Sequence, residues 1–188
     1  MSTKTLFIVF LCGSFLLSSC FQVDTEDAEP VGLGTMPGVL LTGVPEVVDG
    51  DTVKIQGENI RLKAIDAPEK RQLYRNAKGE EYPCGIVATE AFETKIKDNV
   101  ISCKEEDRDF YGRVVGTCYL GNLDMNGWMV EKGHALAYRQ YSEKYIPEEE
   151  NACENRRGIW AGEFIPPWER RRGKRLEDGA ETQERPCD

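Results

Sequence analysis

The chain has 188 residues, 40% hydrophobic and 30% charged, with a mean hydropathy of −0.50. That is about one domain's worth of chain, able to bury its own core, and the composition excludes a polytopic membrane protein and a wholly disordered chain. Acids outnumber bases 33 to 24, for a net charge of −9, which excludes a broad basic coat for nucleic acid but allows a local cationic pocket.

Residues 1–19 read as a secretory signal peptide. Lys4 is their sole charged side chain and Thr5 to Leu17 is almost wholly apolar, yet shorter than the roughly 20 residues a spanning helix needs. The ending Leu17-Ser18-Ser19-Cys20 resembles a bacterial lipobox. That resemblance implies cleavage before Cys20, lipidation of Cys20 and stable membrane anchoring by more than one acyl chain. The expected location is then the bacterial cell envelope, at the periplasm or the cell surface. A plain signal peptide with an incidental Cys20 is the alternative. Removal of residues 1–19 takes the net charge from −9 to −10. Residues 20–38 carry Asp24, Glu26, Asp27 and Glu29 with Gly32, Gly34 and Gly38, the composition of an acidic flexible tether. The folded domain is expected over residues 39–168, with a charged tail over 169–188.

In chain order, Val39 to Leu41 and Val44 to Val48 are β-rich, and Asp49-Gly50 signals a hairpin turn. Thr52 to Ile55 and Ile60 to Ile65 alternate, so a three-strand meander is expected. Val53, Ile55, Ile60, Leu62 and Ala64 would share one face and Lys54, Arg61 and Lys63 the other. Ala67 to Tyr82 reads as a polar loop. Pro83 is expected to open a helix carrying Ala88, Ala91, Phe92 and Ile96. Val100 to Cys103 and Val114 to Leu120 read as strands joined by the charged stretch Lys104 to Asp109. Leu123 to Val130 suggests a short helix closed by Gly133. Ala135 to Tyr138 suggests a short strand, and Pro147 to Trp160 an amphipathic helix. Five strands and about three helices, strands first, define an α+β, mainly β domain built on a small barrel.

Asp51 and Asp66 stand at opposite ends of one expected hairpin, so folding brings them close. Two carboxylates and a carbonyl are the hard oxygen donors a divalent cation such as Ca²⁺ requires. Glu69 follows Asp66 by three residues and can face the same point. Arg61 sits within the hairpin and Arg113 follows Tyr111-Gly112. Two guanidiniums beside a cation and an acid form a phosphate clamp. Phosphodiester hydrolysis uses such parts: a metal, a base for water, and donors for the developing charge. Singly, each of these residues also reads as turn chemistry or a solvated strand face.

The run Val47-Val48-Asp49-Gly50-Asp51-Thr52-Val53, then Arg61-Leu62, Ile65-Asp66-Ala67-Pro68-Glu69 and Asp109-Phe110-Tyr111-Gly112-Arg113, resembles the staphylococcal nuclease (thermonuclease) family. Met129 to Gly133 and Arg157 to Trp160 continue the resemblance, which covers roughly residues 39–168. It implies a five-stranded OB-fold barrel with packed helices and a Ca²⁺-dependent nuclease of DNA and RNA that leaves 3′-phosphate ends. By position, Asp51, Asp66 and the Ala67 carbonyl would hold Ca²⁺, and Glu69 would orient or deprotonate the attacking water. Arg61 and Arg113 would bind the phosphate. Tyr111 and Tyr141 would line the nucleotide site. Ala67 stands where many members have Thr, and Phe110 where a Lys is common; loss of that charge would weaken nucleotide affinity more than catalysis.

Seven cysteines suggest an oxidising compartment. Cys103 and Cys118 lie symmetrically about the Phe110-Tyr111 turn, so a cross-strand disulfide is expected; two small buried hydrophobes are the alternative. Cys84 and Cys153 are a second candidate pair, which leaves Cys187 over. No Cys-x-x-Cys or His-Cys spacing suggests zinc. His134, the single His, is expected on the barrel or at the surface. Trp128, Trp160 and Trp168 are expected in the core or at its rim, whereas Tyr138 and Tyr141 are open between packing and nucleotide contact. The basic run Arg170 to Arg175 is either a solvated tail or a further nucleic-acid contact. A monomeric nuclease acting on DNA and RNA, anchored by its N-terminal lipid, is the leading reading. A non-catalytic OB-fold module that binds nucleic acid or protein, and a structural envelope lipoprotein, are the alternatives.

Overall fold

Alternating apolar residues in the first third of the domain, each short run closed by Gly or Asp, set up a meander whose ends must be reconciled by curvature. In the computed structural model, which describes residues 40–176, strands β1 (Leu40–Gly43) and β2 (Glu46–Asp49) are separated by Val44-Pro45. They are followed by β3 (Thr52–Ile55), β4 (Glu58–Leu62), β5 (Ile65–Asp66), β6 (Leu73–Arg75) and β7 (Glu81–Pro83). Helix α1 (Cys84–Ile96) leads to β8 (Ile101–Arg108), β9 (Val114–Leu120), β10 (Leu123–Asp124) and α2 (Met125–Glu131). The last described elements are β11 (Leu136–Ala137), α3 (Ile146–Glu154), a 3-10 turn over Gly158–Ala161 and α4 (Pro167–Arg171). The signal segment, Cys20, the tether, Val39 and residues 177–188 with Cys187 lie outside the described residues.

The main sheet runs β1-β8-β9-β4-β3-β2, with β10 added to β9. Every pairing in it is antiparallel except β4 with β9. β1 and β2 therefore occupy opposite edges, yet two residues join them. Three Cα steps reach only about 11 Å, so the sheet must curl until its two edges come near each other. Its concave face is filled by Val53, Ile55, Ile60, Leu62 and Ile101, all buried. Ala88, Phe92 and Ile96 of α1 and Met125, Met129 and Val130 of α2 belong to the same core. Each large apolar side chain so buried contributes about 1.5–3 kcal/mol. The fold is α+β and mainly β.

A second, smaller core lies under the C-terminal segment. Tyr74, Cys84, Trp160 and Phe164 are buried there, with Trp160 and Phe164 edge-to-face at 4.9 Å. β6 and β7, inside the segment expected to be a loop, pair as a hairpin that supplies Tyr74.

Several element boundaries differ from expectation, and the strand expected to run on to Ile65 stops at Leu62. The charged stretch Lys104 to Arg108 continues β8, because its backbone pairs with β9 and its side chains reach solvent. Pro83 precedes α1 as its cap, leaving Cys84 as the first helical residue. Leu123 belongs to β10, ahead of α2. The segment expected to be one helix from Pro147 to Trp160 breaks after Glu154: Arg156 has φ 49° and Gly158 φ 53°. A Cβ on Gly158 would lie 2.2 Å from the Gly133 carbonyl oxygen, so this crossing admits only glycine.

Candidate active site

The tight turn between β2 and β3 carries Asp51. Its backbone N–H donates to Asp49 Oδ1 (3.1 Å) and its carbonyl accepts from Leu62 N–H (2.8 Å). Gly50 allows the turn to pack flat, since a Cβ there would sit 2.8 Å from the Ala67 Cβ. Thr52 pairs with Arg61 across the β3–β4 ladder, so Arg61 stands beside the Asp51 turn.

Asp66 reaches the same point by an irregularity. Ala64 takes φ 63° and ends β4, after which Ile65–Asp66 leaves the sheet to pair with β11. A left-handed alanine costs about 1–2 kcal/mol. Packing holds it there: Asn126 Nδ2 donates to the Lys63 carbonyl (3.0 Å) and Tyr138 N–H to the Ala64 carbonyl (2.9 Å).

Arg61 joins the two acids. Its Nη1 donates to Asp51 Oδ1 at 2.8 Å and its Nη2 to Asp66 Oδ1 at 3.0 Å. The second Asp51 oxygen accepts from Ala67 N–H at 2.9 Å. Both carboxylates are buried, Asp66 completely. Burial pushes the Asp51 carboxyl up to about 7, the Arg61 charge opposing the rise. Burial likewise raises Asp66, against the opposing pull of Arg171 and Arg61.

Glu69 stands at the mouth, half exposed on the loop that follows Asp66. Its backbone is fixed by Gln72, whose side-chain Oε1 accepts from Glu69 N–H (3.1 Å), while Gln72 N–H donates to the Glu69 carbonyl (2.7 Å). Gly85 packs on that carbonyl so closely that a Cβ would lie 2.1 Å from it.

Arg113 is placed differently. It precedes β9, whose Val115 pairs with Arg61 in the parallel ladder, but its own guanidinium is held by Asp109, Nε to Oδ2 at 2.7 Å. Thus Asp51, Arg61 and Asp66 are in direct contact, Glu69 adjoins them, and Arg113 pairs within its own hairpin. Tyr111 and Tyr141 are exposed, as is Phe110. The Arg113 guanidinium lies 5.8 Å from the Tyr111 ring centroid. Tyr141 packs edge-on against Tyr138 (4.9 Å), which stacks on Trp168 (5.5 Å, 8° between planes).

Arg171 of α4 is the site residue that sequence reasoning did not single out. Its Nη2 donates to Asp66 Oδ2 (2.7 Å), and its Nη1 to Asp66 Oδ1 (3.1 Å) and Glu69 Oε1 (2.9 Å). In sequence it is one of a run of basic residues, and no local pattern separates it from Arg172, which pairs with Glu169 instead.

Cys103 and Cys118 pair directly across β8–β9 and form a disulfide. The Cys84–Cys153 pairing does not form: Cys84 is a buried free thiol, raised to about 12 by burial, and Cys153 is disulfide-bonded elsewhere. Cys84 Sγ donates instead to the Gln72 carbonyl (3.0 Å). His134 packs against Trp128, ring centroids 5.9 Å apart.

A curled mainly-β domain with two buried aspartates on one arginine defines a class. A family model described as staphylococcal nuclease homologue matches residues 59–162, and the chain belongs to that family. The chain is 32% identical over 163 residues to the succinoglycan biosynthesis protein ExoI of Rhizobium meliloti (strain 1021), covering 85% of this chain and 76% of that protein. It is 32% identical over 133 residues to an uncharacterized endonuclease of Escherichia coli, covering 66% of this chain and 80% of that protein. It is 34% identical over 131 residues to the probable staphylococcal-like nuclease CAN1 of Oryza sativa subsp. japonica, covering 67% of this chain and 36% of that protein. Asp51 and Arg171 both fall outside the span matched by the family model.

Proposed function

We propose that this protein is a Ca²⁺-dependent nuclease that hydrolyses phosphodiester bonds of DNA and RNA and leaves 3′-phosphate ends. Family membership and the endonuclease names of relatives support the nuclease class. The observation that carries the reading is Arg61 bridging buried Asp51 and Asp66, with Glu69 at the mouth.

The donor set fits a hard divalent cation. Asp51, Asp66 and the Ala67 carbonyl offer oxygen only; burial raises both carboxyls, and a cation bound beside them would favour their charged form. Among the described residues no three His, Cys, Asp or Glu side chains form a metal cage. A pair of carboxylates completed by carbonyl and water suits Ca²⁺, which accepts six to eight oxygens in flexible geometry. When bound, the cation supplies positive charge that polarises the phosphodiester.

The chain's own groups do the rest. Glu69, with its side chain half in solvent, takes the proton of the attacking water as general base. Arg61 donates to the phosphoryl oxygens, and its grip on the two aspartates fixes its direction before substrate arrives. Arg113, oriented by Asp109, donates to the phosphate from the other side as the 5′ oxygen departs. Tyr111 and Tyr141 present exposed rings to the nucleotide. Lipidation of Cys20 would hold this monomeric enzyme to the bacterial envelope after export, at the periplasm or the cell surface.

The test is digestion of single-stranded DNA by the full chain in detergent, with Ca²⁺ and with EDTA, beside Glu69→Gln. Cleavage in Ca²⁺, abolished by EDTA and lowered about 10²–10⁴-fold in the variant, is the expected outcome. Undiminished cleavage in EDTA would overturn the cation assignment. A folded protein that binds but never cuts DNA would favour a non-catalytic binding module.

A further inference from the structure

Helix α4 has no part in the main sheet, yet it delivers a guanidinium to the deepest acid of the site. Arg171 meets both oxygens of Asp66 and one of Glu69. Asp66 Oδ1 also accepts from Arg61. A carboxylate has about four lone-pair positions, so three of those on Asp66 are taken by guanidinium N–H groups.

This contact is built, not incidental to a loose tail. Pro167 is buried and Trp168 stacks on Tyr138. Just upstream, the Ile165 carbonyl accepts from Gln72 Nε2 (2.7 Å) and Tyr74 Oη (3.1 Å). Gln72 is buried and also binds the Glu69 backbone through its Oε1. One side chain therefore fixes the Glu69 loop and the approach to α4 in a single frame. Arg171 then closes that frame at the acids.

We propose that Arg171 is a positioning residue that competes with the divalent cation for Asp66 and Glu69, and so sets the affinity of the site for the metal. The proposal rests on the Ca²⁺ reading above. The physical reason is exclusion by charge and by lone pairs. A cation bound at Asp66 would lie about 2.4 Å from an oxygen that already carries a guanidinium N–H at 2.7 or 3.1 Å. Two positive groups cannot share those lone pairs in a buried site without strong repulsion. Until the cation arrives, Arg171 holds the Asp66 and Glu69 carboxylates in place. The arginine side chain is 41% exposed, so it can swing outward without disturbing the core.

The experiment is calorimetric titration of Ca²⁺ into the full chain in detergent, without nucleic acid, for the native protein, Arg171→Ala, Arg171→Gln and the control Arg172→Ala. Near-UV circular dichroism reports folding, and the Gln variant keeps the side-chain stem should Ala misfold. The expected result is about three- to tenfold tighter Ca²⁺ binding in both Arg171 variants, as removal of a bidentate competitor requires, and native affinity in Arg172→Ala. Unchanged or weaker binding in the Arg171 variants, with the native protein binding Ca²⁺, overturns this proposal and leaves the Ca²⁺ reading intact. No binding in any variant overturns both. Binding in the Arg171 variants alone supports the competition in its extreme form.

Discussion

Asp109 holds Arg113 from two sides: its Oδ1 accepts the Arg113 backbone N–H at 2.9 Å and its Oδ2 accepts Nε at 2.7 Å. The β8–β9 turn thus aims a guanidinium without help from the acids of the site. Asp109 Oδ1 also accepts Tyr111 N–H at 3.0 Å, so the same carboxylate shapes the loop that carries Tyr111.

Loss of that carboxylate should therefore loosen Arg113 rather than remove it. Asp109→Ala is expected to lower kcat/KM about tenfold, and Arg113→Ala about 10²–10³-fold. The double variant should match Arg113→Ala, because the two side chains act as a unit. Steady-state cleavage of a short oligonucleotide measures all three, and additive effects would contradict the pairing.

Arg61 is the chief counter-charge of Asp51 and one of two for Asp66. Arg61→Ala should destabilise the fold by about 3 kcal/mol in EDTA, as expected when one partner of a buried ion pair is removed. Arg171 still covers Asp66, which keeps the loss from being larger. Ca²⁺ should restore part of the stability by supplying the missing charge. Urea titrations in EDTA and in Ca²⁺ compare the two conditions; equal losses in both would argue against a cation at these acids.

The Cys103–Cys118 bridge closes a loop with a sequence separation of 15. A loop of that size is worth about 3 kcal/mol in the chain-entropy treatment. The pair Cys103→Ala, Cys118→Ala should lose roughly that much in a denaturant titration under oxidising conditions. A loss near zero would mean that the ladder, not the bridge, fixes the hairpin.

Burial lowers the pKa of His134 from its ordinary 6.5, with Lys132 adding to the effect. The unfolded chain therefore takes up this proton at a higher pH than the folded one. The stability linked to His134 is fully present above about 6.5 and is lost as pH falls through the folded value. His134→Gln should flatten the stability profile between about pH 7 and 5 relative to the native protein. The difference between the two profiles isolates this group from Asp51, whose raised carboxyl acts with the opposite sign near pH 7.

Much of the site was legible because its chemistry is local in sequence. Asp51 and Arg61 share one hairpin, whose pairing alone brings them together, and Asp66 follows at its exit. Alternation marked the buried face of Val53, Ile55, Ile60 and Leu62 for the same reason: each residue's side is set by its immediate neighbours. The ends of elements were less legible. Lys104 to Arg108 looked like a linker because every side chain is polar or charged, although an outward-facing strand extension needs only backbone partners.

The remainder depended on contacts between distant segments. The parallel pairing of β4 with β9 and the curl that brings β1 near β2 depend on the whole curled surface. The left-handed turn at Ala64 is held by Asn126 and Tyr138, far along the chain. Arg171 lies 105 residues from Asp66; α4 brings it there with Trp168 packed against the second core and the preceding Ile165 carbonyl bonded to Gln72 and Tyr74. By itself, then, the sequence determined the acids, the arginine between them and the strands that carry them, because those are properties of short segments. Only the tertiary structure decided which of the C-terminal arginines faces the site, because that choice is made by long-range packing and leaves no local pattern.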